Sequence, residues 1–224
     1  MPQLTFAPWP LCAALAIAND MIRRREPRLS LLTAVAADVY MRPGAFAGPR
    51  TENTIPGRPE LGPAHRHWSI LAHRSELGQK ANKVGAFNES IRLDPVGKGH
   101  LTIELIKVYR QLLNGQDRCD STMAEWTAMW NRCRDSLGLP KAPVCMLRHI
   151  GAPYDIPQCK RGERSVQDRG DWTAAPSMCM YEKAGAILAV LSGMTPGLAS
   201  HVRQCDKLLP QHLTAAVLPI VFRK

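Results

Sequence analysis

The chain has 224 residues, 45% of them apolar, which suits a packed core in one large domain or two small ones at ~150 residues per domain and argues against global disorder. Lys plus Arg number 29 against 19 Asp plus Glu; the resulting formal charge of +10 favours a polyanionic partner, nucleic acid ahead of membrane lipid. Aromatic residues are only 6%, too few for a surface built on many base-stacking platforms, and no run reaches the ~18 apolar residues of a membrane span.

Residues 10–25 place Leu11, Leu15, Ala18 and Ile22 on one helical stripe. The run Leu11 to Ala18 is short, and the basic cluster Arg23-Arg24-Arg25 follows it rather than preceding it, the reverse of a secretory signal. It reads as a core helix of an intracellular protein. Residues 28–41 repeat the pattern with Leu29, Leu32, Val35 and Val39, and Pro43-Gly44 predict a break. Residues 47–64, with Pro49, Pro56, Pro59 and Pro63, read as a loop. The period then changes. Residues 65–73 alternate, with Trp68, Ile70 and Ala72 on one face, and residues 87–93 read as a second strand, so a small antiparallel sheet is expected over 65–93.

Helical spacing returns with Leu101, Leu105, Val108 and Leu112. Met123, Trp126, Trp130, Cys133 and Leu137 form the cleanest apolar stripe, closed by Gly138 and Pro140. Ser165 to Asp168 can open a helix. Pro176 suits a first helical turn, and an apolar pattern runs from Met180 to Leu191 and ends at Gly193. The tail 194–224 holds one more candidate helix. Seven cysteines include no C-x-x-C pair, so neither a disulfide framework nor a zinc site is expected.

Arg148-His149 is followed 24 positions after the arginine by Trp172, in Gly170-Asp171-Trp172, and nine positions later by Tyr181. This order and spacing resemble the C-terminal signature of the tyrosine recombinase (phage integrase-like) family. Upstream, Tyr40-Met41-Arg42-Pro43-Gly44 looks like the helix end that presents the family's first catalytic arginine. Lys83-Val84-Gly85 looks like the strand turn that presents its catalytic lysine. The resemblance covers roughly residues 10–190. It implies a mainly α fold with a small antiparallel sheet (α+β), a catalytic domain over 1–193 and a separate tail. It also implies double-stranded DNA as partner, a homo-oligomer on that DNA, and residence with DNA in nucleus or nucleoid.

The chemistry of this set is coherent. Tyr181 would store the phosphodiester energy as a 3′-phosphotyrosyl bond, as DNA integration and site-specific recombination require. Arg42 and Arg148 would clamp the non-bridging oxygens with forked donors that stay charged. Lys83 would protonate the departing 5′-hydroxyl, and the Trp172 indole N–H would donate one more hydrogen bond. No metal or other cofactor is called for. Three departures stand out. Cys145 occupies the position, three before the second arginine, where the family carries histidine, so it reads as a degenerate catalytic position. Ala45 replaces an acidic residue, and residues 151–162 carry prolines where the family continues a helix. The pattern starts near residue 10, without the family's N-terminal domain. These departures set a second reading beside the enzyme: an inactive DNA-binding relic of a recombinase.

Overall fold

Alanine and leucine dominate the first helical segment, and both suit a helix. In the computed structural model it forms α1, Leu11–Arg23, followed by α2, Pro27–Asp38. The structure describes residues 9–46, 53–78, 80, 89–93, 107, 121–155, 162–170 and 184–221. A one-turn helix α3, Pro43–Phe46, is followed by strands β1 (Thr54–Ile55), β2 (Trp68–Ala72) and β3 (Glu89–Leu93). Then come α4 (Met123–Ser136), a 3-10 helix over Val144–His149, α5 (Ala152–Asp155), α6 (Glu163–Arg169), α7 (Ala184–Ser192) and α8 (Pro196–Val221). The described residues are thus mostly helical with one small antiparallel sheet, as expected.

The helix ends explain where the chain turns. α1, α2 and α4 each close with a left-handed residue followed by an amide that bonds back across the last turn. Glu26 N–H donates to the Met21 carbonyl (2.9 Å), Met41 N–H to Ala36 (3.2 Å) and Leu139 N–H to Arg134 (3.1 Å). Only α4 uses glycine for the left-handed position, Gly138; α1 uses Arg25 and α2 uses Tyr40. The sequence predicts the break at Pro43-Gly44. The helix instead stops at Asp38, before the left-handed Tyr40, and Pro43 opens α3, because proline's fixed φ suits a first helical position. At the other end of α4, Thr122 and Glu125 form a reciprocal capping box.

The predicted helical stripes mark only one side of two helices that are enclosed. α2 buries every residue from Leu29 to Ala37. It lies against α1, α3, α8 and the 3-10 helix, while α1 also meets α4 and α8. The small residues Ala34, Ala36 and Ala37 let those neighbours approach on all sides. Trp126, Trp130 and Cys133 of α4 are fully buried, with the Trp130 ring 5.8 Å from that of Trp9. Their polar edges are satisfied. Trp126 Nε1 donates to Thr33 Oγ1 (2.9 Å), which in turn donates to the Leu29 carbonyl (2.8 Å). Trp130 Nε1 donates to the Ala142 carbonyl (2.8 Å).

The sheet has the order β1-β2-β3, with Trp68 opposite Leu93 and Ile70 opposite Ile91. Ile70, Ala72 and Leu93 enter the helical core, while Ser90 and Arg92 face outward, the alternation of a half-buried sheet. The segment predicted as a loop supplies β1, paired through Thr54 and Ile70. Asn53 Nδ2 fixes its entry by donating to the Leu71 carbonyl (2.6 Å). The tail forms the long helix α8, whose buried residues Val202, Cys205, Leu209 and Leu213 recur at helical spacing and lie in the same core as α1. Asn19 of α1 is buried there; its amide donates to Cys205 Sγ (3.4 Å) and its carbonyl accepts from His212 Nδ1 (2.7 Å). The helix predicted around 101–112 lies outside the described residues, apart from Lys107, which is helical.

Candidate functional site

Two arginines from distant parts of the chain stand on elements that pack together in the described structure. Arg42 stands two residues past the left-handed turn that ends α2, just before α3. Arg148 stands in the 3-10 helix, which packs against both α2 and α3. Both act electrostatically on His149. Its imidazole is held down to about 4, first by burial, then by the Arg148 charge, then by that of Arg42. Both guanidiniums thus lie close enough for their charge to act on this half-buried imidazole, which stays neutral at physiological pH.

Each arginine is carried by a braced element. The residues before the 3-10 helix are pinned to α4 at the Ala142 carbonyl, which accepts from Trp130 Nε1 and from Arg134 Nη1 (3.1 Å). Arg134 is itself buried, bonded to Asn131 Oδ1 (2.7 Å) and paired with Asp135 (2.8 Å). Arg148 Nη2 donates to the Gly170 carbonyl, tying the 3-10 helix to the end of α6. Gly170 is buried and stands two residues before Trp172 in the sequence.

The Arg42 side rests on Tyr40. Its φ of +56° is unfavourable for a residue with a Cβ, at about 1–2 kcal/mol. Burial of the ring and a hydrogen bond from its hydroxyl to Asp155 Oδ2 offset that cost. Asp155 ends α5 and is also buried. Gly151 makes this closeness feasible: a Cβ there would strike the Tyr40 ring and the Ala37 carbonyl oxygen.

Cys145 is exposed and lies three residues before Arg148 on the 3-10 helix, where residues at that spacing share a face. The Cys145 thiol therefore stands on the Arg148 face of that helix. Cys133, by contrast, is an inert core thiol, pushed up to about 12 by burial and by Asp20. Of the predicted site residues, Arg42 and Arg148 stand on neighbouring elements and both act on His149. Lys83, Trp172 and Tyr181 lie outside the described residues; by sequence Lys83 falls in the connection between β2 and β3. Lys80, its neighbour on that connection, is exposed, and its carbonyl accepts from His73 Nδ1 (2.7 Å).

Sequence reasoning missed Tyr40, Gly151 and Asp155. A glycine directly after the apolar Ile150 was the only signal, pointing to a close backbone approach. Among the described residues, no cluster of His, Cys, Asp and Glu is arranged to hold a metal ion, and no helix is long and apolar enough to cross a membrane. Compared with protein-family models, with curated proteins and with solved structures, the chain matches none.

Proposed function

We propose that the chain acts on double-stranded DNA as a breaking-rejoining protein of the tyrosine recombinase type, with Arg42 and Arg148 as the phosphate clamp. The observation that carries this reading is that those two arginines, far apart in sequence, stand on elements that pack together and both act on the His149 imidazole. A scissile phosphodiester is anionic and gains charge in its transition state. Two permanently charged, fork-shaped donors on braced elements suit that charge without reorganising. Tyr181 attacks the phosphorus as its phenolic proton passes to water, the 5′-oxygen leaves with a proton from Lys83, and a 3′-phosphotyrosyl bond holds the energy for rejoining. The mostly helical fold with its small sheet agrees with a recombinase catalytic domain.

The experiment is a nicked duplex whose short cleaved fragment diffuses away and traps the adduct. The covalent adduct should form without magnesium, map to Tyr181, and vanish in Tyr181→Phe with duplex affinity almost unchanged. An adduct on another tyrosine, or full cleavage by Tyr181→Phe, defeats the assignment. One observation favours the second reading, a DNA-binding relic: the exposed thiol of Cys145 on the Arg148 face is a poor replacement for a phosphate-bonding imidazole. A folded protein that binds duplex but yields no adduct decides for the relic. Recovery of cleavage in Cys145→His would then locate the lesion.

A further inference from the structure

Neither arginine-bearing segment is rigid by its own hydrogen bonding. Arg42 lies in a short stretch between α2 and α3, and Arg148 in a 3-10 helix, whose hydrogen bonds are poorer than those of an α-helix. The 3-10 helix packs on α2 and α3, and a directional contact between the two segments adds to that packing. Tyr40 precedes Arg42 by two residues, and Asp155 follows Arg148 by seven. The Tyr40 hydroxyl and the Asp155 carboxyl are both buried and bonded to each other, directly beside the Gly151 close approach. A buried hydroxyl needs an acceptor and a buried carboxyl needs a donor, and this bond serves both groups. Phenylalanine would fill the same volume, and packing alone gives no reason for the hydroxyl.

We infer that the Tyr40–Asp155 hydrogen bond is the tie that sets the spacing of Arg42 and Arg148, making Tyr40 and Asp155 positioning residues of the phosphate clamp. The inference rests on reading those arginines as that clamp, but the spacing itself can be measured without DNA. Arg42 is fixed relative to Tyr40 by the left-handed turn, and Arg148 relative to Asp155 by the chain through Ile150 and Gly151. Cutting the tie removes one constraint on their spacing, while the packing of the 3-10 helix on α2, α3 and α4 remains. A displacement of ~1 Å at such a clamp lowers reaction rate by up to ~10²-fold.

His149 reports the spacing, because both arginines act on its imidazole. An NMR titration of the His149 ring protons in the full chain reads it directly. In the unaltered protein the midpoint should lie at about 4. Arg42→Ala should raise it and serves as the calibration. Tyr40→Phe should raise it in the same direction, with a cooperative melt retained. Asp155→Asn, which keeps an acceptor, should titrate as the unaltered protein does. Asp155→Ala makes the cut from the other side and serves if Tyr40→Phe does not fold. On the nicked duplex, Tyr40→Phe should slow adduct formation about tenfold or more while duplex affinity stays nearly constant.

A His149 midpoint unchanged in Tyr40→Phe and Asp155→Ala, with Arg42→Ala moving it, overturns the tie and leaves the proposed function standing. No adduct in the unaltered protein, with His149 moving as described, overturns the strand-transfer reading and leaves the tie. If Arg42→Ala also fails to move His149, Arg42 is not held beside it, and both fall.

Discussion

At the scale of single residues, two positions carry more than their size suggests. Gly151 has no side chain, yet its Cα faces a backbone carbonyl that cannot move aside. Gly151→Ala should therefore cost about 1–3 kcal/mol, the usual range for overpacking, read as a lowered urea midpoint at unchanged slope. Gly44→Ala is the control: an added methyl there meets nothing within 4 Å and leaves stability near the original. Thr33 is the second such position. Its hydroxyl accepts the indole proton of the fully buried Trp126. Thr33→Val preserves the shape and strands that proton, which should cost about 1–3 kcal/mol in the same assay, while Thr33→Ser keeps most of the stability. Both effects come from backbone or buried polar groups, and neither is visible as an apolar pattern.

Among the elements, the 3-10 helix over Val144–His149 controls how the molecule answers to acid. His149 titrates near 6.5 when unfolded and at about 4 when folded, held down by burial and then by Arg148 and Arg42. Between those values the unfolded chain binds the extra proton, so stability is complete above about pH 6.5 and falls as the pH drops towards 4. At ~1.4 kcal/mol per unit the full loss is about 3 kcal/mol. Urea midpoints measured from pH 7.5 to 4 should show this decline, and His149→Gln should flatten it. Asp20 acts lower on the scale. Burial raises its carboxyl, but hydrogen bonds from Arg24, Ser136 and Cys133 outweigh that and hold it below its ordinary value. Its contribution is present above the usual carboxylate range and is lost only as pH falls through the lowered value, so the two losses separate. The elements differ in how plainly the sequence announces them. α1, α2, α4 and the hairpin of β2 and β3 follow from apolar spacing, because long periodic runs and strict alternation leave few alternatives. The end of α2 does not, since Tyr40 takes a conformation usually left to glycine and is held there by a residue far along the chain. The 3-10 helix and β1 are short, and tertiary contacts decide them. For the candidate site, order and spacing bring out Arg42 and Arg148, but nothing local marks Asp155 as the partner of Tyr40.

For the whole molecule, topology is what joins the two arginines. α8 folds back onto α1, α1 lies on α2, and α2 supports the 3-10 helix, so one continuous core links Arg42 to Arg148. The formal charge of +10 then acts as a long-range field that favours a polyanion without choosing its sequence. These two electrostatic layers predict different salt behaviour. Each phosphate neutralised on binding releases condensed counterions, and the slope of log affinity against log salt is about −0.9 per contact. The full chain should bind duplex DNA with a steep slope and little sequence preference, since phosphate contacts position without specifying. If Arg42 and Arg148 grip the same phosphate, Arg42→Ala and Arg148→Ala should each leave the slope nearly unchanged, because the remaining arginine still neutralises it; on separate phosphates each makes the slope shallower by about 0.9. The double variant is the stricter test. If both side chains grip the same phosphate, removing both changes the slope by about 0.9 in total; if they grip separate phosphates, the change is about twice that. Tyr181→Phe carries no charge change and should leave the slope alone. Fluorescence anisotropy of a labelled duplex between low and moderate salt measures all five proteins. A flat salt response in the unaltered chain would remove the basis for any DNA partner, and a doubled change in the double variant would rule out a shared clamp.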